Sequence, residues 1–585
     1  MAGPIILEHS ACATLSSRRK AVPIKVFLVA LFVAVPVATF VGVADAQLPP
    51  GSVKTVGTAH SHSVTRIPLS QMATCTTPTP TPTATVGGIG PARPGPKSDP
   101  GQNPLSGPIV SFEGLHHGEL NDGNFCSCPT CPSDDSGAVS FDYYVQTVNY
   151  AIIVYDKSGN VLAGPVSGTT FWENQPDLGG SYYWSDAVVR FDRYANRWVI
   201  SRPGGTPYGQ YLGIAVSQTS DPTGKYDQYA FEVNNTANQL SGFFNDYPKI
   251  SVFSDAYYAT ADPNKIFSGL GNTISAFERA AMLTGNPTPR FVTFFVPAPR
   301  NPSQTTHSHM LAADLEGRRL PPSDTPEYVV QVQDSHLGFP ADRLQVYEFH
   351  VDWHSPSSST FVPTQSLVPQ PFNSNACPIA GDYQACIEQP GVAQRLDSLS
   401  YGYMMQRLTY RNFGPRQTLL FNHTVAADGD PSHRHAGIRW YELRMRTRGR
   451  TRSAWEIYQQ GTYAPDADNR WLGSIAMDRM GNIALGFNVS GASVFPSIHY
   501  VGRRPTDPLG TLPSGEMSLI DGGGALRDNK YFGDYSQMTI DPVDDCTFWY
   551  TGTYLPTTTT QNDWYTRIGS FRFTSCPGKD LDSDK

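Results

Sequence analysis

The sequence is poor in charged residues and in signals for helices. Asp, Glu, Lys and Arg make up 16% of its 585 residues, whereas aromatic residues make up 11%, and there are 52 Gly and 49 Pro residues. This composition is typical of a turn-rich β protein with an aromatic core, and it argues against a mainly helical chain. The net charge of −8 is spread out without a basic stripe, which argues against nucleic acid as a partner.

Sequence motifs that would identify a catalysed reaction are also missing. The sequence contains no G-x-S-x-G nucleophile elbow, no H-E-x-x-H zinc motif and no P-loop. These absences exclude the enzyme classes that depend on those motifs. Any active site must therefore be sought among residues that the fold brings together.

A short hairpin is repeated along the chain. It consists of an apolar strand, a turn that begins with Asp and ends with Asn or Asp four residues later, and a second apolar strand. Asp and Asn suit such turns because their side chains bond the local backbone and tolerate a left-handed residue. The turns are bounded by Asp156 and Asn160, Asp192 and Asn196, Asp478 and Asn482, and Asp541 and Asp545.

Self-similar hairpins at intervals of tens of residues are typical of propellers, in which each unit buries its face against its neighbours. We therefore predict an all-β fold, a β-propeller of seven blades with four antiparallel strands each, preceded by a disordered Pro/Thr-rich segment. The first and last blades should be adjacent, so that both bury their faces.

Four segments are expected along the chain. Residues 1–46 carry an export signal, with an apolar run at Val26–Val43 and a small-x-small cleavage site before Gln47. A membrane anchor is the alternative for this run. Residues 47–110 are predicted to be a low-complexity Pro/Thr/Gly spacer, 111–576 the propeller, and 577–585 an acidic tail. The protein is expected to be secreted, on the cell surface or in the periplasm, without stable membrane insertion after cleavage.

Eight cysteines follow the signal, and in an exported chain they predict disulfides. Cys377 is expected to pair with Cys386, and Cys546 with Cys576. A second group lies in one loop, where disulfides are favoured over a metal site and the role stays open. This group consists of Cys126, Cys128 and Cys131.

The predicted site is the mouth of the central channel. The innermost strand of each blade lines the channel, so residues at equivalent strand starts converge on the axis. Clustered carboxylates repel, and they need a cation, an arginine or raised pKa values. The structural alternative is that each Asp only bonds backbone of the neighbouring blade. The predicted catalytic residues are Asp246, Asp534 and Arg470, and the predicted ligand-binding residues are Asp186, Asp397, Trp184, Tyr247, Tyr535 and Trp471.

Aromatic residues next to these acids indicate a sugar ligand. Aromatic faces can stack on the apolar faces of sugar rings, while carboxylates and an arginine bind the hydroxyl groups. Simple packing between blades is the alternative for each aromatic residue. The expected partner is a polysaccharide or a cell-surface glycan.

The chain resembles a group of exported bacterial proteins of uncharacterised function that are associated with β-propeller folds. The resemblance spans roughly residues 137–576 and implies the fold, but it carries no activity. The Ser-x-Asp-x-Gly-x-Thr-Trp box of sialidases is missing. The matching segments include YVQTVNYAIIVYDKSGNVLAGPVSG, NDYPKISVF, LQVYEFHVDW, AGIRWYELR, TYAPDADNRWLGSIAMDRMGNIALG and DPVDDCTFWY.

Two functions follow from these features. The first is an exported propeller that acts on or binds a polysaccharide at the channel mouth, as a glycoside hydrolase or a polysaccharide lyase. Hydrolysis requires two carboxyl groups with different pKa values. The alternative is a non-catalytic propeller that binds a partner or serves as a structural protein at the cell surface. No cofactor is certain; calcium held by an oxygen cage on the axis belongs to a third, structural interpretation.

Overall fold

A computed structural model describes residues 53–75, 104–117, 132–178, 185–205, 210–238, 240–265, 268–269, 271–298, 309–377, 385–427, 435–448, 451–560 and 563–576. The predicted export signal and the acidic tail lie outside these residues. Within the described ranges, no helix is long and apolar enough to cross a membrane.

The N-terminal region contributes three strands before the first repeat. They are β1 (Val53–Thr58), β2 (Ser61–Val64) and β3 (Val110–His116).

Antiparallel units of β-strands then follow one another along the chain. Unit 1 contains β4 (Ser136–Val139), β5 (Tyr143–Val148), β6 (Ala151–Asp156) and β7 (Val161–Ser167). Unit 2 contains β8 (Val188–Asp192), β9 (Arg197–Gly204), β10 (Tyr211–Ser217) and β11 (Tyr226–Glu232). Unit 3 contains β12 (Phe244–Val252), β13 (Tyr257–Lys265), the short β14 (Ser268–Gly269), β15 (Gly271–Phe277) and β16 (Arg290–Pro297). Unit 4 contains β17 (Met310–Glu316), β18 (Glu327–Gln333), β19 (Arg343–His350) and β20 (Thr360–Leu367).

A small strand pair precedes the second half of the molecule. This pair is β21 (Ala385–Ile387) and β22 (Leu396–Asp397). Unit 5 contains β23 (Met404–Asn412), β24 (Arg416–Ala426), β25 (Ala436–Arg448), the short β26 (Thr451–Arg452) and β27 (Glu456–Tyr463). Unit 6 contains β28 (Asn469–Met477), β29 (Ile483–Ser490), β30 (Ser497–Arg503) and β31 (Met517–Ile520). Unit 7 contains β32 (Gln537–Ile540), β33 (Phe548–Tyr554) and β34 (Tyr565–Phe571).

Helical structure is limited to single turns in the described residues. Two short α-helices lie at Gly168–Phe171 and Arg279–Met282, and 3-10 helices lie at Leu69–Gln71, Ser335–Leu337 and Pro356–Ser358.

The first strand of each unit is the innermost strand, and these strands form a closed ring. β4, β8, β12, β17, β23, β28 and β32 contact one another in this order, and β32 also contacts β4. The prediction that the first and last units are adjacent is confirmed. At the junction, the Ser136 hydroxyl donates to Gln537 Oε1 over 2.7 Å.

The N-terminal strand β3 completes the last unit. It pairs antiparallel with β34 and gives unit 7 its fourth, outermost strand. Because this strand comes from the start of the folded region, the two ends of that region are hydrogen-bonded to each other. Such closure removes the open edge that a last unit of three strands would otherwise present.

The β-propeller prediction is confirmed by this arrangement of antiparallel units around a ring. Units 4 and 5 are joined more closely than the others, because residues 313–316 of β17 pair in parallel with residues 408–411 of β23. The two units therefore share one nine-stranded sheet. The number of seven separate blades stays a prediction.

The predicted Asp-led turns form as expected. In the first, Asp156 Oδ1 accepts hydrogen bonds from the backbone of Ser158 and Asn160 at 2.8 and 2.9 Å, and Asn160 Nδ2 donates to Asp156 Oδ2 over 2.7 Å. Gly159 takes the left-handed conformation, with φ of 92°. A residue with a Cβ would be strained there, which explains the glycine at this position of the turn.

One domain boundary is wrong. Part of the predicted spacer, residues 53–75, is folded rather than an extended linker. β1 pairs with β16 and β2 pairs with β11, so both strands extend the outer edges of neighbouring units. The alternating sequence VKTVGT suits an added edge strand, and the overall Pro/Thr content hid this pattern. The TPTPTPT tract at residues 77–83 lies outside the described residues.

Both predicted disulfides are present. Cys377 is bonded to Cys386, nine residues away, and Cys546 to Cys576, 30 residues away. Cys75 is disulfide-bonded as well. The Cys126, Cys128 and Cys131 group lies outside the described residues. The disulfides are consistent with the predicted extracellular location, which itself stays a prediction.

Removing the Cys546–Cys576 bond should weaken the last unit. Replacing both cysteines by Ala should lower the free energy of unfolding by about 3–4 kcal/mol, because the bond closes a long loop in the unfolded chain. The matched double variant at Cys377 and Cys386 closes a shorter loop and should cost about 2–3 kcal/mol. Urea denaturation of both variants and the wild type measures the difference. A smaller loss for the Cys546–Cys576 variant than for its control would contradict this prediction.

Candidate functional site

Acidic residues converge where the innermost strands begin. Asp134, Asp186 and Tyr247 stand at the starts of units 1, 2 and 3 with left-handed backbones, at φ of 43°, 59° and 51°. A β-bulge in β12 between Asp246 and Lys249 accompanies the last of these turns. Left-handed conformations in residues other than glycine are uncommon, and they cluster at sites where a side chain is aimed in a particular direction.

We call Asp134, Asp186, Asp534 and Lys249 the axial acid cluster. Its members come from the starts of units 1, 2, 7 and 3, and each is at most 4% exposed. Three carboxyl groups and one amine therefore share a site that water barely reaches.

Asp134 ties three neighbouring units together. Its Oδ1 accepts a hydrogen bond from the backbone N–H of Asp534, and its Oδ2 accepts one from Asn149 Nδ2, both over 2.7 Å. Asn149 Oδ1 in turn accepts from the backbone N–H of Asp186 over 2.7 Å. Asp134 and Asn149 thus fix the positions of the other two acids.

The environment of Asp134 favours its protonated form. Burial raises the pKa of Asp134 well above its usual value, and the negative charges of Asp534 and Asp186 raise it further. The hydrogen bond from Asn149 opposes these effects but does not outweigh them.

Lys249 lies between two tyrosine rings. Its Nζ is 2.9 Å from the ring centroid of Tyr247 and 3.4 Å from that of Tyr535. Nζ has no hydrogen-bond partner among the described residues. The ring faces attract an ammonium group, and so do the carboxylates of Asp186 and Asp534, but burial is the larger effect and lowers the pKa of Lys249 well below its usual value.

Asp186 is held by an aromatic hydroxyl. Tyr535 Oη donates to Asp186 Oδ2 over 2.7 Å, and the same hydroxyl lies 3.3 Å from the carbonyl oxygen of Pro248. Tyr535 thereby links the start of unit 7 to the starts of units 2 and 3. Burial, followed by the Asp186 charge, raises the pKa of this tyrosine well above its usual value, so the hydroxyl remains a donor.

A second layer of polar groups surrounds the cluster. His309 Nδ1 lies 2.8 Å from Asp262 Oδ2, and the His309 ring stacks on Tyr403 with centroids 3.8 Å apart. Asp262 pairs across the sheet with Asp246. Burial lowers the pKa of His309 well below its usual value, and the nearby Lys249 adds to the effect, so this imidazole is neutral.

Several predicted site residues lie in or beside the cluster. Asp186 and Asp534 belong to it, and Tyr247 and Tyr535 flank its amine. Asp246 and Asp397 also lie near this end of the channel, but each bonds its own turn. Asp246 Oδ1 accepts from the backbone N–H of Tyr247 over 3.1 Å, and Asp397 Oδ1 from that of Leu399 over 2.8 Å. The alternative interpretation, in which each Asp only bonds backbone, therefore applies to Asp246 and Asp397. The backbone that each of them bonds belongs to its own turn and not to a neighbouring blade.

Arg470 does not balance the ring as predicted. Its guanidinium pairs with Asp466 through Nη1 at 2.7 Å and with Glu516 through Nε at 2.8 Å. Burial disfavours the charge of Arg470, but these two carboxylates outweigh burial and raise its pKa. The basic residue that lies among the ring carboxylates is Lys249 instead, and burial lowers its pKa well below the usual value.

The two predicted tryptophans give no direct evidence for a ligand. Trp471 is fully buried, and its ring centroid lies 5.8 Å from that of Phe532, so it packs in the core. Trp184 lies outside the described residues. The assignment of both to ligand binding stays a prediction.

Asp134, Asn149 and Lys249 were missed by reasoning from the sequence. Lys249 carried a usable signal, since a single lysine interrupts the otherwise apolar strand YPKISVF. A buried lysine needs a specific environment, so such an interruption can point to a polar site. Asp134 had no comparable signal, because it is one of two adjacent acids in a polar loop.

One group among the described residues has the spacing of metal ligands, away from the strand starts that form the axial acid cluster. Atoms of Asp334, His336 and Asp342 lie within 4.8 Å of one another. Asp334 Oδ1 accepts from the backbone N–H of His336 over 2.8 Å, and Asp342 Oδ1 from that of Ser335 over 2.9 Å. These hydrogen bonds show that the three residues lie close together because they form the turn between β18 and β19.

The pKa of Asp397 makes stability depend on pH. Burial, followed by the charge of Asp534, raises this pKa to about 6. Between pH 4 and 6 the folded protein therefore binds a proton that the unfolded chain releases. The resulting stabilisation is complete below about pH 4 and is lost as the pH rises through about 6.

Asp397→Asn should therefore stabilise the protein at pH 7. Asn can keep the bond to Leu399 without a buried charge, and we expect a gain of about 1–3 kcal/mol in the free energy of unfolding. Near pH 4 the gain should vanish. Asp156→Asn, in an exposed turn where hydrogen bonds lower the Asp pKa, is the control and should give no gain at pH 7. Denaturant titrations at both pH values measure this, and a pH-independent effect of Asp397→Asn would refute it.

Comparisons with known proteins give neighbours in structure only. No family model matches the sequence, and no curated protein matches it. An exo-β-1,3-galactanase from Clostridium thermocellum is 12% identical, with 81% of this chain and 98% of the other covered at a TM-score of 0.29. An endo-arabinase from Bacteroides thetaiotaomicron is 10% identical, with 56% and 95% covered at a TM-score of 0.25. An α-L-arabinofuranosidase from Fusarium graminearum is 9% identical, with 65% and 90% covered at a TM-score of 0.24. Likeness at this level carries no argument about the chemistry of the site.

Proposed function

We propose that this protein hydrolyses a polysaccharide at the end of the channel that holds the axial acid cluster. The observation that carries the proposal is the buried carboxyl of Asp134, which the backbone N–H of Asp534 and Asn149 Nδ2 hold beside two further carboxyl groups. Burial and the charges of Asp534 and Asp186 raise its pKa, as a general acid near neutral pH requires.

Glycoside hydrolysis needs two carboxyl groups in different states. Asp134 would donate its proton to the glycosidic oxygen as the bond to the leaving sugar breaks. Asp186, which accepts the hydrogen bond from Tyr535, would act as the carboxylate that activates water or attacks the anomeric carbon. Asp534, named as catalytic from the sequence, would keep the proton on Asp134 through its charge.

Lys249 would tune this pair. Its amine lies among the carboxylates, and any change in its charge alters the cost of ionising Asp134 and Asp186. The faces of Tyr247 and Tyr535 that it contacts are engaged by the amine. A sugar would therefore meet the hydroxyl and the edge of Tyr535 rather than these faces.

A second function is favoured by the burial of the site. No member of the cluster is more than 4% exposed, and Asp246 and Asp397 bond their own turns. Both features suit a non-catalytic propeller whose acids brace the strand starts, with a glycan or a protein bound on the surrounding surface. The experiment below separates the two functions.

Asp134→Asn should remove hydrolysis while leaving the fold intact. The full-length protein is incubated with arabinan, galactan, xylan and polygalacturonan, and new reducing ends are measured. For a polysaccharide that the wild type cleaves, loss of the acid should lower kcat/KM by about 10²–10⁴-fold. The wild-type rate should also fall as the pH rises through the raised pKa of Asp134, because the acid then loses its proton.

Asp135→Asn is the matched control. Asp135 is the next residue, is equally buried, and burial raises its pKa to about 6, but its Oδ1 accepts from Thr553 Oγ1 over 2.6 Å. This variant should keep the wild-type rate within about threefold. Equal rates for Asp134→Asn and the wild type would refute the assignment of the acid. Binding of a polysaccharide without any cleavage by the wild type would favour the non-catalytic function.

A further inference from the structure

A second polar pocket lies at the opposite end of the channel. It forms where β4, β8, β17 and β32 end, whereas the axial acid cluster lies where the innermost strands begin. We call it the arginine pocket. Its polar lining consists of Arg190, Arg193, Arg407, Asp314, Glu316 and Thr539.

Positive charge exceeds negative charge in this lining. Asp314 Oδ2 lies 3.3 Å from Arg190 Nε and 3.0 Å from Arg407 Nη1, and Glu316 pairs with Arg407 Nη2. Two arginines are thus balanced by two carboxylates. Burial lowers the pKa of Arg190 to about 10, which leaves it charged at neutral pH.

Arg193 shares its carboxylate partner with a second arginine. Its Nη1 is 3.7 Å from Asp545 Oδ1, beyond hydrogen-bond distance, and its Nη2 donates to the carbonyl oxygen of Pro542 over 3.3 Å. Asp545 is already held on both oxygens by Arg411, with two bonds of 2.8 Å. The charge of Arg193 is therefore only partly balanced by a carboxylate.

Four buried polar atoms of the lining have no hydrogen-bond partner among the described residues. One is an acceptor, Asp314 Oδ2, which forms ion pairs with Arg190 and Arg407; the other three are Arg193 Nη1, Arg407 Nε and Thr539 Oγ1. These three can donate, and the side chains of Arg193 and Arg407 are only 9% and 5% exposed. Buried donors without acceptors are costly, so a ligand that supplies oxygen acceptors would stabilise this arrangement.

We propose that the arginine pocket binds a small oxyanion, such as a phosphate, a sulfate or a carboxylate group. Guanidinium groups present forked N–H donors that match the oxygens of such groups, and the Thr539 hydroxyl supplies a further donor. The excess positive charge favours an anion over a neutral ligand. The site is separate from the proposed hydrolytic site, and nothing in its chemistry depends on that proposal.

Calorimetric titration of the full-length protein tests the proposal. Inorganic phosphate, sulfate, acetate and galacturonate are titrated at pH 7 and constant ionic strength, with chloride as the reference salt. We expect saturable binding of one equivalent for at least one of these anions. Preference for phosphate and sulfate would identify a tetrahedral oxyanion as the ligand, and preference for acetate or galacturonate a carboxylate. Absence of saturable binding for all four would overturn the proposal.

Two variants locate the site. Thr539→Val removes only the hydroxyl, and Arg193→Gln removes the partly balanced charge; each should weaken binding about tenfold or more. Arg197→Gln is the matched control, because Arg197 lies in the same unit and bonds only the carbonyls of Ala195 and Asn196 among the described residues. Its affinity should stay within about twofold of the wild type.

The outcomes are distinct from those of the hydrolysis experiment. Asp134→Asn should bind the anion like the wild type, whether or not hydrolysis is found. Equal weakening by Arg193→Gln and Arg197→Gln would show a general effect of charge and overturn the site. Unchanged binding in both Thr539→Val and Arg193→Gln would overturn it as well. Should Arg193→Gln fail to fold, Thr539→Val alone decides between these results.

Discussion

The structure depends on how the innermost strands satisfy their polar groups in a ring that excludes water. Each of these strands is buried, so a hydroxyl or amide on it is costly unless it is hydrogen-bonded, and several of these groups bond to the neighbouring strand. Ser136 Oγ accepts from the backbone N–H of Val189 over 3.2 Å, and Ser474 Oγ accepts from that of Met538 over 2.9 Å. The same kind of bond thus joins units 1 and 2 and units 6 and 7. Because each unit holds the next, the position of any one strand start is set by its neighbours around the ring.

Because the innermost strands run in the same direction, acidic residues gather at one end of the channel and arginines at the other. Innermost strands that run the same way gather all their starts at one end of the channel and all their ends at the other. Acids at the strand starts meet one lysine, and arginines near the strand ends meet a smaller number of acids. Carboxylates crowded together need compensation, and here burial and the charges of Asp534 and Asp186 raise the pKa of Asp134, which favours its uncharged form. At the other end, Asp314 and Glu316 balance Arg190 and Arg407, whereas Arg193 shares Asp545 with Arg411.

Much of the fold could be predicted from the sequence because its signals are local. The Asp-led hairpins, the two disulfides and the adjacency of the first and last units follow from turn chemistry, cysteine spacing and the need to bury both end units. Asp186 and Asp534 were found for the same reason, since an acid just before an apolar strand is visible in the sequence. The strands at residues 53–64 were missed because their few alternating residues stand in a segment dominated by Pro and Thr.

The sequence by itself determined the repeat, the fold class and the kind of residue found at each strand start. Only the tertiary structure decided which of those residues face one another. Asp246 and Asp397 turn back to their own backbones, Arg470 is held by Asp466 and Glu516, and Lys249 stands among the acids instead. The physical reason is that a side chain's partner depends on the β-bulges and on the rotation of one unit against the next. Those features arise from contacts between residues hundreds of positions apart, such as Asp134 and Asp534, which no local pattern encodes.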